Sequence, residues 1–293
     1  MKIAIIGMGH VGRTMHDFLR DHADLITYDQ ADGGPYPTEA LAGCDFAIVC
    51  VNTPTGPDGA CDVSNVREAV KQLPTSKVLI KSTVAPGTTD ELVAETGKDI
   101  CFCPEYVGES RYYNPVCADA AALPFVIVGG RPDLRRWFVD ALLPILGPTK
   151  TYFQCDALEA EIVKYMENAF FATKVTFVNE FARICAALGA DWHTVREGWL
   201  LDPRVEPSHT AVFATNPGFD GKCLPKDLRA IVSAANQAGY QPRLLAEVLA
   251  SNDRLRAVAT AVDLALATPF ARTVLQKTMA VPYGTTTTLE AIG

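Results

Sequence analysis

What this sequence has little of narrows it first. Its 293 residues include only five histidines, and none clusters with the nine cysteines. Cys101 and Cys103 form C-x-C rather than the C-x-x-C spacing of zinc sites, so no metal is expected. Apolar runs stay short of the ~18 residues that a membrane span needs. Positive charge is in deficit: 26 Lys+Arg against 34 Asp+Glu leave a net charge of −8, which argues against a nucleic-acid-binding face. The opening Met1–Gly7 is too short in its apolar part for a secretory leader and lacks a small-residue cleavage site, so it reads as a buried strand. No internal repeat and no low-complexity tract stands out beyond the threonines 285–288. The cysteines are odd in number and mostly lie within apolar runs such as Ala47–Val51, the usage of a reduced, cytoplasmic protein.

What is present suits a globular chain of two domains, 48% hydrophobic and 20% charged. Short apolar runs at Lys2–Ile6, Leu25–Tyr28, Phe46–Val51, Val78–Lys81, Ile100–Cys103 and Phe125–Gly129 alternate with polar or amphipathic stretches. Such runs predict a parallel sheet covered on both faces. From Asp156 to Leu188 there is neither proline nor glycine, and Ala157, Ile162, Tyr165, Ala169, Ala172, Phe177 and Phe181 spread over more than one face. The spacing predicts one long helix buried between domains or subunits and ended by Gly189. Further helices are expected at Asp191–Leu200 and Lys226–Ala238, and one or two more over Gln241–Leu266. The domain boundary is placed near residue 150, with residues 1–150 binding a cofactor, 151–266 helical and 267–293 a tail.

Gly7-Met8-Gly9-His10-Val11-Gly12 is G-x-G-x-x-G between a strand and an amphipathic stretch. Its first glycine allows the tight turn, its second lets a pyrophosphate approach the backbone, and its third lets helix and strand pack closely. Asp29 ends the next strand, where a carboxylate can accept both ribose hydroxyls, and no Arg or Lys immediately follows to neutralise a 2′-phosphate. The expected fold is therefore α/β, a doubly wound parallel sheet of Rossmann type followed by an all-helical domain built on one long helix. The expected cofactor is NAD. Asp29 as a simple surface cap is the alternative.

The most informative stretch is Asn216-Pro217-Gly218-Phe219-Asp220-Gly221-Lys222-Cys223-Leu224-Pro225-Lys226-Asp227. Cys223 follows a glycine loop, stands at the start of a predicted helix, and lies between Lys222 and Lys226. Positive charge and a helix N-terminus both favour the nucleophilic thiolate. Asp227, four residues on, shares its helical face. The alternative is a small buried cysteine in a turn.

This stretch resembles the G-F-G-G-x-C-x-P-K-D loop of the UDP-glucose/GDP-mannose 6-dehydrogenase family. Glu161-Ile162-Val163-Lys164-Tyr165-Met166-Glu167-Asn168-Ala169-Phe170 is similar to that family's E-x-x-K-Y-x-x-N-A-F helix. Val51-Asn52-Thr53-Pro54, Ser82–Thr88 and Pro104-Glu105-Tyr106-Val107-Gly108-Glu109-Ser110 match further signatures in the same order. The resemblance implies an NAD-dependent four-electron oxidation of a primary alcohol to a carboxylate, on a nucleotide-sugar or related phosphorylated compound. Cys223 would attack the aldehyde and carry a thioester. Lys164 and Asn168 match the pair that holds the developing oxyanion, and their i,i+4 spacing puts them on one helix face. Thr83 and Asp227 match residues that position water, and Glu105 a general base. Val51, Thr53, Thr83 and Glu109 match positions bordering the cofactor, beside the turn residues His10 and Val11. Glu105, Lys164, Asn168, Gly221, Lys222, Lys226 and Arg204 would line the substrate.

Three departures limit the resemblance. The connection from Asp29 to the strand at Phe46 is short, as if a helix and loop were missing. Gly108 stands where the family carries an arginine. No counterpart of the C-terminal nucleotide-sugar domain follows, and its charge-assisted contacts would be worth ~1–3 kcal/mol each. Lys222, Arg204 and Lys226 are the phosphate contacts that remain. Residues 268–293 are instead similar to the opening helix and Pro-Tyr-Gly turn of O6-alkylguanine-DNA alkyltransferases, without that family's reactive-cysteine motif. Two other readings stay open: a two-electron dehydrogenase of the β-hydroxyacid type, with no need of Cys223, and a silent NAD-binding remnant. The long apolar helix predicts a homodimer.

Overall fold

The structure, a computed structural model, describes residues 1–106, 122–213 and 215–266, with side chains as far as Ala257. The first part alternates strands and helices: β1 (Lys2–Ile6), α1 (His10–Leu19), β2 (Asp24–Tyr28), α2 (Thr38–Ala42), β3 (Phe46–Val49), α3 (Ser64–Gln72), β4 (Lys77–Ile80), α4 (Thr88–Thr96), β5 (Asp99–Phe102), β6 (Phe125–Gly129), α5 (Pro132–Leu146) and β7 (Thr151–Cys155). Helices follow: α6 (Ala157–Leu188), α7 (Trp192–Trp199), α8 (Leu224–Gln237) and α9 (Arg243–Leu266).

The strands form one sheet in the order β2-β1-β3-β4-β5-β6-β7. It is not parallel throughout, as the sequence predicts: β1 to β5 are parallel, β6 runs antiparallel to β5, and β7 is parallel to β6. Strand β7 has no counterpart among the expected strands. It is an edge strand with Phe153 52% exposed, so it lacks the continuous apolar run that marks the central ones. Strand β2 is the other edge, and only a 3-10 turn and α2 link it to β3, in agreement with the shortened connection.

Both faces of the sheet are covered, which is why its strands read as unbroken apolar runs. Ala4, Ile6, Ala47, Val49, Val78 and Ile80 pack with Val66 and Val70 of α3 and Leu92 of α4. Ile3, Ile5, Phe46, Ile48 and Leu79 pack with Met15 and Leu19 of α1 and with Leu134, Phe138 and Leu142 of α5. Each Val, Leu, Ile, Phe or Met side chain among these, fully buried, contributes about 1.5–3 kcal/mol.

The described chain divides into two compact units, one of Met1–Phe171 with Gly221–Arg243, the other of Ala172–Asp220 with the chain from Leu244 on. The first unit thus runs past residue 150, because β7 pairs with β6 along its length and Ala160 of α6 packs on the sheet. Helix α6 keeps Ala157, Ala160, Tyr165, Ala169 and Ala172 buried, while Met166, Phe170, Phe177, Phe181 and Leu188 stand exposed along another face. Among the described residues no helix is long and apolar enough to cross a membrane, and no cluster of His, Cys, Asp or Glu could hold a metal.

Candidate active site

The turn between β1 and α1 lies where strand order reverses, β2 on one side of β1 and β3 on the other, the usual place for a ligand crevice in an open α/β sheet. Its three glycines have different reasons. Gly7 has φ +91°, and a Cβ there would sit 2.8 Å from the Cys50 carbonyl carbon and the Val51 nitrogen. A Cβ on Gly12 would lie 1.9 Å from the Gly7 oxygen, so only glycine lets α1 approach β1. At Gly9 nothing lies within 4 Å of the added carbon, and that open space faces the start of α1. The first helical bond here runs from Arg13 N–H to Gly9 O, which leaves the amides of His10, Val11 and Gly12 without helical acceptors. A cradle of free amides with room above it suits a pyrophosphate.

Asp29 stands beside this turn. Its Oδ2 accepts from Met8 N–H at 2.6 Å and its Oδ1 from Ala31 N–H at 2.9 Å. It does cap the following 3-10 turn, the alternative above, but a carboxylate has about four acceptor sites and capacity remains for ribose hydroxyls. The cap and the cofactor contact are compatible.

At the C-terminal ends of β3, β4 and β5 the chain gathers its polar groups. The Thr53 hydroxyl donates to Thr83 O at 2.8 Å, and the Ser82 hydroxyl donates to Val51 O at 2.7 Å, tying two family-like segments together. Glu105 is buried, its Oε1 accepting from Tyr106 N–H at 2.7 Å and its Oε2 lying 3.5 Å from Lys81 Nζ. Burial alone would push the Lys81 ammonium down, but Cys103 and Glu105 beside it outweigh that and raise its pKa. Glu105 is thus held as one half of a buried ion pair.

Helices α6 and α8 supply the rest. Asn168 Nδ2 donates to Asp227 Oδ2 at 2.5 Å, and Lys164 Nζ lies 3.5 Å from Asn168 Oδ1. With an ammonium on one side and a carboxylate on the other, the amide can point only one way, and its second N–H stays available. The Lys164 ammonium also sits 4.8 Å from the Tyr106 ring centre and 3.9 Å from Glu167 Oε2. Asp227, buried, accepts from Lys226 Nζ at 2.5 Å as well. Cys223 is exposed at the N-terminal end of α8, one helical turn before Asp227, whose N–H bonds to Cys223 O at 2.8 Å. The buried-turn alternative for this cysteine is therefore excluded.

Lys164, Asn168, Asp227 and Lys226 are joined by these contacts, and Cys223, Gly221, Lys222, Thr53, Thr83 and Glu105 belong to the same compact unit. Arg204 belongs to the other unit, where it pairs with Asp202, Nη2 to Oδ2 at 2.6 Å. Glu109, Gly108 and residues 267–293 lie outside the described residues. Lys81, Tyr106 and Glu161 join the site without having been singled out by their place in the sequence. All three lie inside or beside the motifs, but nothing in a linear pattern says that Lys81 and Glu161 are buried.

Residues 36–136 match the NAD binding domain of the UDP-glucose/GDP-mannose dehydrogenase family, and residues 158–254 match its central domain. A UDP-glucose 6-dehydrogenase of Rhizobium meliloti is 30% identical over 304 residues, covering 86% of this chain and 68% of that protein. The chain belongs to the UDP-glucose/GDP-mannose dehydrogenase family. A UDP-glucose 6-dehydrogenase of Pseudomonas aeruginosa is 32% identical over 237 residues, covering 74% of this chain and 50% of its own length. The chain thus spans about half the length of several curated relatives it matches. A solved UDP-glucose dehydrogenase from Pyrobaculum islandicum shares the fold, with a TM-score of 0.75 at 24% identity over 89% of this chain and 70% of that one. The cofactor of the matched N-terminal domain is NAD. That match begins after the glycine turn, so the fit of the turn rests on its own geometry.

Proposed function

We propose that this member of the family catalyses NAD-dependent, four-electron oxidation of a primary alcohol to a carboxylate, on a nucleotide-sugar or related phosphorylated sugar or nucleoside. The observation that carries the reading is the Asn168–Asp227 bond, which ties the Lys164 turn of α6 to the Cys223 end of α8. NAD would be held by the Gly7–Gly12 turn and Asp29, and two molecules in succession would each accept one hydride. Cys223 Sγ adds to the aldehyde carbon, and the Lys164 ammonium and the free N–H of Asn168 donate to the oxygen that gains charge. After the second oxidation the carbonyl is bound to sulfur as a thioester. Water oriented by Thr83 and Asp227 then adds, the C–S bond breaks, and Cys223 returns as thiolate. Glu105 takes the water proton. Lys222 and Lys226, both on the Gly221–Arg243 stretch of the first unit, are the contacts proposed for substrate phosphate.

A second copy of the chain is the proposed partner of α6. Ile162, Met166, Phe170, Phe177, Phe181, Ile184 and Leu188 recur at helical spacing and are exposed, a stripe suited to an isologous pair. Met166→Glu with Phe170→Glu turns the dimer into a monomer by sedimentation; an unaltered mass excludes this face. The burial of Cys44, Cys50, Cys101 and Cys103 among apolar residues supports a reduced, cytoplasmic setting.

The test is a screen of nucleotide-sugars, nucleoside monophosphates and sugar phosphates with NAD reduction as readout. Two NADH per substrate and a carboxylate product are expected. One NADH per substrate points to the two-electron reading instead.

A further inference from the structure

Glu161 is a charged side chain that the mechanism above leaves unused, and it is fully buried. Its Oε2 accepts from Gly87 N–H at 2.5 Å, and its Oε1 accepts from Thr89 N–H at 2.9 Å and from the Thr89 hydroxyl at 2.6 Å. These donors form the first turn of α4, whose N-cap, Gly87 at φ +95°, has no side chain to offer. A carboxylate on α6 therefore caps α4 from 74 residues away. Burial raises its pKa to about 6, with the bonds from Thr89 and Gly87 pulling the other way; Asp90 of α4 and Tyr165 of α6 are the titratable groups set against it.

The placement of this cap links two parts of the site. The loop that ends at Gly87 begins at Ser82, and its Thr83 carbonyl receives the Thr53 hydroxyl and, at 3.5 Å, the Cys61 thiol. Thr88 closes the same loop through its hydroxyl on Ala85 O at 2.6 Å. On the other side, Lys164 and Asn168 follow Glu161 by about one and two turns of α6. A neutral side chain would avoid the desolvation cost of a buried carboxylate, so stability alone does not call for this residue.

We propose that Glu161 is a positioning residue, whose carboxylate sets the register between the loop carrying Thr83 and the helix carrying Lys164 and Asn168. The proposal rests on the dehydrogenase reading and extends it to a residue that touches neither substrate nor cofactor. Glu161→Gln keeps the length of the side chain but sets an NH2 group against one of the N–H donors. Per site counted by NAD titration, its kcat falls about tenfold or more while the KM for NAD stays within about twofold. Wild-type kcat declines as pH drops through about 6, and this limb is missing from the variant. Faster hydrogen exchange at the Gly87 and Thr89 amides reports the lost cap. Full kcat in Glu161→Gln beside an active wild type overturns the inference and leaves the dehydrogenase reading standing. NAD affinity lost in step with kcat also overturns it, since that is the mark of a general scaffold role. No turnover in the wild type across the substrate screen removes the reading and the inference together.

Discussion

Two regions of this molecule set a cysteine beside a lysine, and they differ in what burial allows. Cys103 Sγ lies 3.6 Å from Lys81 Nζ, yet burial keeps the thiol pKa raised in spite of the ammonium. Neighbouring Cys50 is pushed up to about 12 for the same reason. Cys223 lies between Lys222 and Lys226 in sequence, exposed at the start of α8. There water is not excluded, so charge on sulfur carries no burial cost of that kind. A lysine neighbour does not by itself make a nucleophile; the cost of removing charge from water decides.

The largest expected effect tests that contrast directly. Cys223→Ala lowers carboxylate formation on the order of a thousandfold or more, whereas Cys103→Ala leaves kcat within about threefold. Equal losses in the two variants would erase the distinction. Native-state alkylation sharpens it: iodoacetamide modifies Cys223 roughly a hundredfold faster than Cys50 or Cys103, read by mass spectrometry.

The glycine turn offers a similar contrast between a crowded and an open position. Gly12→Ala, with its Cβ against the Gly7 oxygen, destabilises by about 1–3 kcal/mol in urea unfolding. Gly9→Ala leaves stability within about 0.5 kcal/mol and weakens NAD binding instead. Comparable destabilisation by both would mean that the space above Gly9 is not open.

Glu161 carries the comparison from sulfur to a carboxylate, since burial again outweighs its hydrogen bonds. Its pKa rises from 4.5 to about 6 on folding, so between those values the folded chain holds the proton more tightly than the unfolded one. The stability it contributes is complete below pH 4.5 and is lost as pH rises through about 6. The difference is about 2 kcal/mol at most. Unfolding free energies measured across this window slope less with pH in Glu161→Gln; identical slopes would contradict the assignment.

Much of this was legible without coordinates. Strands β1 and β6 lie where the apolar runs predict, to the residue, and α6 starts one residue later than expected. The glycine turn and the Lys164, Asn168 and Asp227 pattern were visible as motifs. Strand β7 was not, because an exposed edge strand lacks the apolar run. The antiparallel turn of β6 was not either, since a strand buried on both faces reads alike in either direction.

The order of residues alone determined which segments could be buried strands, where the backbone needs glycine, and which side chains share a face of α6, because periodicity and backbone sterics are local. Only tertiary structure decided that Glu161 caps α4, that Lys81 and Glu105 form a buried pair, that Asn168 is fixed between Lys164 and Asp227, and that Cys103 is shielded while Cys223 is open. Those outcomes depend on desolvation and on partners far apart in the chain, and both come into existence only when the elements pack.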